Sequence, residues 1–196
     1  MNLIELPRNP DYTIISWDTA CEIGEKNDYS ACTIWLVSEL KQRMRQYFLI
    51  EAFKERLLFP DLEKKVIATA DRYRNLYPDT PQKTLIENAS SGRQLIQSLD
   101  RSNGRWFEGV SINGQDKVAR FLSACSIFEK GNVLLPTSAH WLDEYRNELL
   151  RFPNGKFDDY VDSTSQALLW RQNRLFLDSG RRPNPIRPKG STYKRR

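Results

Sequence analysis

Three β-rich runs crowd the start of the chain: "YTIISW" from Tyr12 to Trp17, ending on Asp18, "SACTIWLVSEL" from Ser30, and "QYFLIEA" from Gln46 to Ala52. Only short polar stretches, such as "GEKNDYS", separate them, which restricts this region to an antiparallel three-stranded meander. The pattern then changes. "PDLEKKVIATADRYRNLY" sets Leu62, Val66, Ile67, Ala70 and Tyr73 at helical spacing, with Pro60 and Asp61 as a start and Pro78 as a stop. "KTLIEN" reads as a short strand ending at Glu87. It runs through the small-residue turn "ASSG" into the helix "RQLIQSL", which marks a crossover into a parallel strand.

The remainder continues in the same style. A strand is expected in "WFEGVSI", then a helix in "GQDKVARFLSACSIFEKG" whose stripe is Val118, Phe121, Leu122, Cys125 and Phe128. The short apolar "NVLLP" precedes the helix "HWLDEYRNELLRF", and a last helix begins within "DDYVDSTSQALLWRQNRLF". This order predicts an α/β domain: a mixed central sheet, three antiparallel strands then parallel strands, flanked by helices.

Composition narrows the chemistry. A hydrophobic content of 39%, with 11% aromatic, suffices for a packed core. No apolar run approaches the ~20 residues of a membrane span, and "MNLIELPRNP" lacks the basic start and apolar stretch of a signal peptide. A soluble, cytoplasmic protein without a membrane partner is expected. Cys21, Cys32 and Cys125 have no metal-like spacing and are expected to be small buried thiols. The single histidine, His140, excludes a multi-histidine zinc site, and no nucleophile-elbow pattern accompanies it. It is expected at the surface or as a cap. The net charge of +5 is uneven: residues 181–196 hold seven Lys or Arg and no acid, which leaves −2 for residues 1–180. The expected organisation is one domain over 1–180 and a basic, proline-extended tail over 181–196. Arg181 and Arg182 in that tail are candidate phosphate contacts.

Five acids occupy chain ends of this scheme. Asp18 closes the first strand, Glu87 closes the crossover strand, and "DDYVD" opens the last helix with Asp158, Asp159 and Asp162. Sites in α/β sheets favour the carboxyl ends of strands, so Asp18 and Glu87 project together if their strands are parallel neighbours. At ~100° per residue, Asp162 lies between the directions of Asp158 and Asp159, beside the Val161/Ser165/Leu168 face. At least one of these aspartates must therefore stand near the sheet. Converging carboxylates form a hard-oxygen site of the kind Mg²⁺ or Mn²⁺ prefers. A pair of such ions, roughly 3.5–4 Å apart, suits phosphodiester hydrolysis. Each acid also has an ordinary alternative: a turn cap for Asp18, a surface ion pair for Glu87, a helix N-cap for Asp158.

Asp18 after its strand, "LIENASSG", "QDKVARF", "GNVLLP" and "ELLRFPNGKFDDYVDSTSQAL" together resemble the nuclease domain of the large subunit of tailed-phage terminases. The resemblance spans residues 10–172, and "FPNG-x-x-DD-x-VD" is its most specific part. It implies an RNase H-like fold, related to the RuvC resolvases, and a two-metal endonuclease that cuts concatemeric double-stranded DNA during packaging. Asp18 and Glu87 fall on the first two metal ligands of that family. The third ligand comes from the aspartate-rich turn, with Asp159 favoured and Asp158 and Asp162 close behind. Lys117 and Arg120 fall at a DNA-facing helix start, where the alternative is a solvated polar face of an amphipathic helix.

By this resemblance, the expected catalytic set is Asp18, Glu87 and Asp159, holding two Mg²⁺ or Mn²⁺ ions. The expected partners are double-stranded DNA, an ATPase domain or subunit, the portal and the small terminase, in the cytoplasm of a bacterial host. The sequence has no G-x-x-x-x-G-K-[ST] phosphate loop. An excised domain or truncated prophage product, without ATP hydrolysis of its own, is therefore expected. Two rivals share the same features: a RuvC-like Holliday junction resolvase, and a non-catalytic nucleic-acid-binding module with an acidic pocket.

Overall fold

β-branched and aromatic residues dominate the strands, and the six strands among the described residues join one mixed sheet. The structure, a computed structural model, describes residues 6–20, 29–39, 44–88, 90–103, 107–111, 114 and 116–178. The strands are β1 (Tyr12–Asp18), β2 (Ser30–Glu39), β3 (Arg45–Glu55), β4 (Gln82–Glu87), β5 (Phe107–Val110) and β6 (Val133–Leu134). The helices are α1 (Phe59–Leu76), α2 (Ser90–Asn103), α3 (Lys117–Glu129), α4 (Leu142–Arg151) and α5 (Asp159–Asp178). The spatial order is β5-β4-β1-β2-β3-β6. β1, β2 and β3 pair antiparallel, as the short polar connections require. β4 joins β1 in parallel, β5 joins β4 in parallel, and β6 extends the far edge in parallel with β3.

Helices cover both faces, so β1 and β2 are buried along nearly their whole length. Successive side chains alternate between the faces. Ile15, Trp17, Cys32, Ile34 and Ile86 pack against Leu62, Val66, Ala70 and Tyr73 of α1 and Leu95 and Leu99 of α2. Tyr12, Ile14, Trp35, Leu49 and Leu85 pack on the other side, against Tyr145 of α4 and Tyr160, Leu168 and Trp170 of α5. Asp18 has the same strand parity as Ile14 and Ser16, and Glu87 the same as Leu85. Both acids therefore project toward the α5 side.

Two expectations need correction. On α1 the buried row includes Thr69, while Ile67 is only partly buried. On α3 the expected apolar stripe is not the inward face: Leu122 is 64% exposed and Val118 36%, whereas Ala124 and Ile127 are buried. The inward row of α3 is Lys117, Arg120, Ala124 and Ile127, because the first turn of α5 offers carboxylates to the two cations. Phe121, Cys125 and Phe128 instead line an apolar cavity of about 540 Å³ with Leu149 and Leu150 of α4. Cys32 is buried and Cys125 partly so, both as free thiols, and His140 is exposed just ahead of α4. Cys21, Arg181, Arg182 and the remainder of the tail lie outside the described residues. Among the described residues, no helix is long and apolar enough to cross a membrane.

Candidate functional site

β1 and β4 run in parallel with Trp17 opposite Ile86. One residue further on, Asp18 and Glu87 leave the sheet from adjacent strand ends. Gly92 permits the turn that follows Glu87: a Cβ there would lie 2.0 Å from the Glu87 carbonyl oxygen. The glycine of "ASSG" therefore lets α2 start immediately behind the acid.

α5 is fastened to the same sheet end by small polar side chains. Ser163 Oγ donates to the Ser16 carbonyl at 2.8 Å, and Ser16 Oγ donates to the Ser163 carbonyl at 2.8 Å. Thr33 Oγ1 lies 2.7 Å from Ser163 Oγ and accepts from Trp35 Nε1 at 2.9 Å. Gln166 Nε2 donates to Ser16 Oγ at 2.9 Å. Ser16, Thr33 and Ser163 are fully buried, so these bonds satisfy groups that would otherwise be costly. The "DSTSQ" stretch thus brings the helix backbone close to β1, and its aspartates close to Asp18.

Burial raises the Asp18 carboxyl well above the usual range, and Asp162, Glu87 and Asp159 add to the rise while Lys117 opposes it. Burial also raises Glu87, with Asp162 adding and Arg120 and Lys117 opposing. Asp159 is pushed up to about 6 by burial and by Glu148, with Lys54 opposing. Its Oδ2 is buried and finds no hydrogen-bond partner among the described residues. Asp162 is raised by burial despite Lys117 and Arg120. Acids that each raise their neighbours share one low-dielectric site.

Two cations from α3 enter this site. Arg120 Nη2 donates to Asp162 Oδ1 at 2.6 Å. Lys117 Nζ lies 2.6 Å from both Asp162 Oδ2 and Asp158 Oδ2. The Arg120 side chain is enclosed, at 11% exposed against 10% for Asp162, whereas Lys117 keeps 34% of its side chain exposed. Asp158, at the start of α5, turns its Oδ2 to Lys117. Among the described residues, no three Asp, Glu, His or Cys side chains are gathered closely enough to hold a metal ion as they stand. The donor set nevertheless fits a hard divalent cation: only carboxylate oxygens, raised affinities for protons, and one orphaned oxygen on Asp159.

Sequence patterns did not mark Glu148 and Lys54, which stand beside Asp159. Glu148 Oε1 accepts the Tyr160 backbone N–H at 2.5 Å. A glutamate within "RNELLRF" reads as helix surface, and only the packing of α4 on α5 buries it.

A family model described as Terminase RNaseH-like domain matches residues 15–170. The chain belongs to that family. The terminase RNaseH-like match covers Asp18, Glu87 and the whole "DDYVD" turn. No curated protein matches the sequence. Among solved structures, the human cytomegalovirus terminase nuclease domain, Mn-soaked and inhibitor-bound, superposes with a TM-score of 0.50 at 15% identity. It covers 85% of this chain and 84% of its own. Thermus thermophilus RuvC in complex with a Holliday junction substrate gives a TM-score of 0.46 at 9% identity, over 82% and 96% of the two chains. The fowlpox virus Holliday junction resolvase gives 0.42 at 15%, over 83% and 99%. The architecture is the RNase H-like α/β fold.

Proposed function

We propose that this terminase RNaseH-like domain is a divalent-metal-dependent endonuclease that cuts double-stranded phage DNA as part of a packaging machine. The observation that carries the reading is the placement of Asp18 and Glu87 on adjacent parallel strand ends, with the first turn of α5 bringing Asp162 to both and Asp159 to Asp18. Asp18, Glu87 and Asp159 are the favoured ligands for Mg²⁺ or Mn²⁺, two ions in all. Asp162, which acts on both Asp18 and Glu87, and Asp158 stand beside them. When bound, the ions supply activation of water and stabilisation of the departing oxygen of a phosphodiester.

The protein's own groups do the rest. The ends of β1 and β4 fix two carboxylates, and the buried Ser16–Ser163 bonds fix the helix that supplies the others. Lys117 and Arg120 line the same site and provide the positive charge that holds phosphates near the acids, in a manner indifferent to base sequence. Arg181 and Arg182, outside the described residues, are further candidate phosphate contacts. An ATPase domain or subunit, the portal and the small terminase are the partners this role requires, in the host cytoplasm.

The test is nicking of supercoiled plasmid with Mn²⁺ or Mg²⁺, alongside linear and four-way-junction DNA. Metal-dependent nicking that disappears in Asp18→Asn is expected. Cleavage confined to junctions would point to a resolvase instead. Activity that persists in Asp18→Asn would overturn the site.

A further inference from the structure

We propose that Glu148, locked in place by Lys54, is the positioning residue that caps α5 and so leaves the side chains of Asp158 and Asp159 to the acid site. This rests on the nuclease reading above. The first N–H groups of a helix have no partner within it. An aspartate at the cap ordinarily accepts one of them with its own side chain. Asp158 occupies the cap position of α5, since its carbonyl accepts the Asp162 N–H at 3.1 Å. Its carboxylate, however, is spent on Lys117. The Tyr160 N–H goes instead to Glu148, which comes from α4 across the buried face.

Glu148 is itself held. Its second oxygen, Oε2, accepts from Lys54 Nζ at 2.8 Å, and Lys54 also meets Glu144 at 3.0 Å. The Lys54 and Glu148 side chains are only 6% and 4% exposed. Lys54 lies 4.7 Å from the Phe157 ring centroid and 5.1 Å from that of Tyr160, so the residues flanking Asp158 and Asp159 enclose it. Burying such a pair costs desolvation and gains little net stability. Its value is geometric. Lys54 belongs to β3 and Glu148 to α4, so the pair ties the first turn of α5 to the sheet. Without that tie, Asp158 is the nearest side chain able to cap Tyr160, and turning inward would withdraw it from Lys117.

Two measurements on the full chain test this. The first is hydrogen exchange at the Tyr160 amide. Glu148→Ala should speed it at least ten-fold. Glu148→Gln, which keeps one accepting oxygen for Tyr160 but turns an amide N–H₂ toward the Lys54 ammonium, guards against a failure of the alanine variant to fold and should fall between the alanine variant and wild type. Asp158→Asn should leave it unchanged. Loss of protection in Asp158→Asn but not in the Glu148 variants would overturn the cap. The second is Mn²⁺ affinity, followed by the loss of the free-ion signal in electron paramagnetic resonance. Glu148→Ala should weaken it at least five-fold and Glu148→Gln by less. Tyr145→Phe, which loses only the contact to Thr164, should not change it. Unchanged Mn²⁺ affinity in Glu148→Ala would overturn the positioning role. If wild-type protein takes up no Mn²⁺, the nuclease reading fails and amide exchange alone decides the cap.

Discussion

Asp18 and Asp162 stand 144 positions apart in the chain, yet among charged neighbours Asp162 is the strongest influence raising the Asp18 carboxyl. The two meet because β1 ends where the first turn of α5 is fastened, through the reciprocal bonds of Ser16 and Ser163. Repulsion between them is intrinsic to the site, and it makes stability and activity pull in opposite directions.

Asp18→Asn should therefore stabilise the metal-free protein while abolishing nicking. The gain expected at pH 7 is about 1–2 kcal/mol, or about 2–4 °C in Tm for each kcal/mol. Thermal melts in EDTA measure it. Millimolar Mn²⁺ should then raise the Tm of wild type and leave Asp18→Asn nearly unmoved, because an ion bound to the folded state alone stabilises that state. A lower Tm for Asp18→Asn in EDTA would contradict the repulsion.

The pH dependence follows from Asp159. Its carboxyl is held at about 6 in the folded protein, against an ordinary value of about 3.9. A raised folded value means that the folded state binds the proton more tightly. The associated stability is full below about pH 4 and is lost as pH rises through about 6. Urea titrations in EDTA should show wild type and Asp159→Asn converging toward pH 4. At pH 7 the variant should be more stable by about 1–2 kcal/mol, a figure reduced for partial solvent screening. A difference that stays constant between pH 4 and 7 would exclude Asp159 as the titrating group.

Arg120 and Asp162 form the most enclosed of the ion pairs that α3 makes with the first turn of α5. Removing one partner of such a pair leaves a buried charge behind. Arg120→Met should cost about 2–3 kcal/mol, since Lys117 remains on Asp162. The double variant Arg120→Met/Asp162→Asn should recover at least about 1 kcal/mol of that loss. Chemical denaturation of the four proteins in the cycle reads the coupling directly, and additive losses would mean that the contact contributes nothing.

Gly92 offers a test of the turn behind Glu87. A methyl group there meets the Glu87 carbonyl oxygen at 2.0 Å, a backbone atom with no freedom to rotate away. Gly92→Ala should lower stability by about 1–3 kcal/mol and reduce metal-dependent nicking more than Gly131→Ala does. Gly131 carries only the cost of its positive φ of 68°, with open space around it. Equal nicking by the two variants would remove the link between this turn and the acid.

The strands, their antiparallel start and the crossover into β4 were legible because their signals are local: β-branched runs, polar connections and the small-residue turn "ASSG". The ends of β1 and β4 at Asp18 and Glu87 were legible for the same reason. The inward face of α3 was not. Its apolar stripe pointed to Val118 and Leu122, but α5 presents carboxylates there, and Lys117 and Arg120 turned inward to meet them.

What the chain order alone determined is the sheet and the positions at which acids leave it, since both follow from alternation and turn chemistry within a few residues. Which aspartates of "DDYVD" face Asp18, which cations answer them, and that Glu148 rather than Asp158 caps α5 were decided only by tertiary packing. The physical reason is that a carboxylate takes its partner from whatever donor lies within about 3 Å, and the donors here come from α3 and β3, remote in sequence. Periodicity tells a side chain which way to point; only the folded neighbours tell it what it will find there.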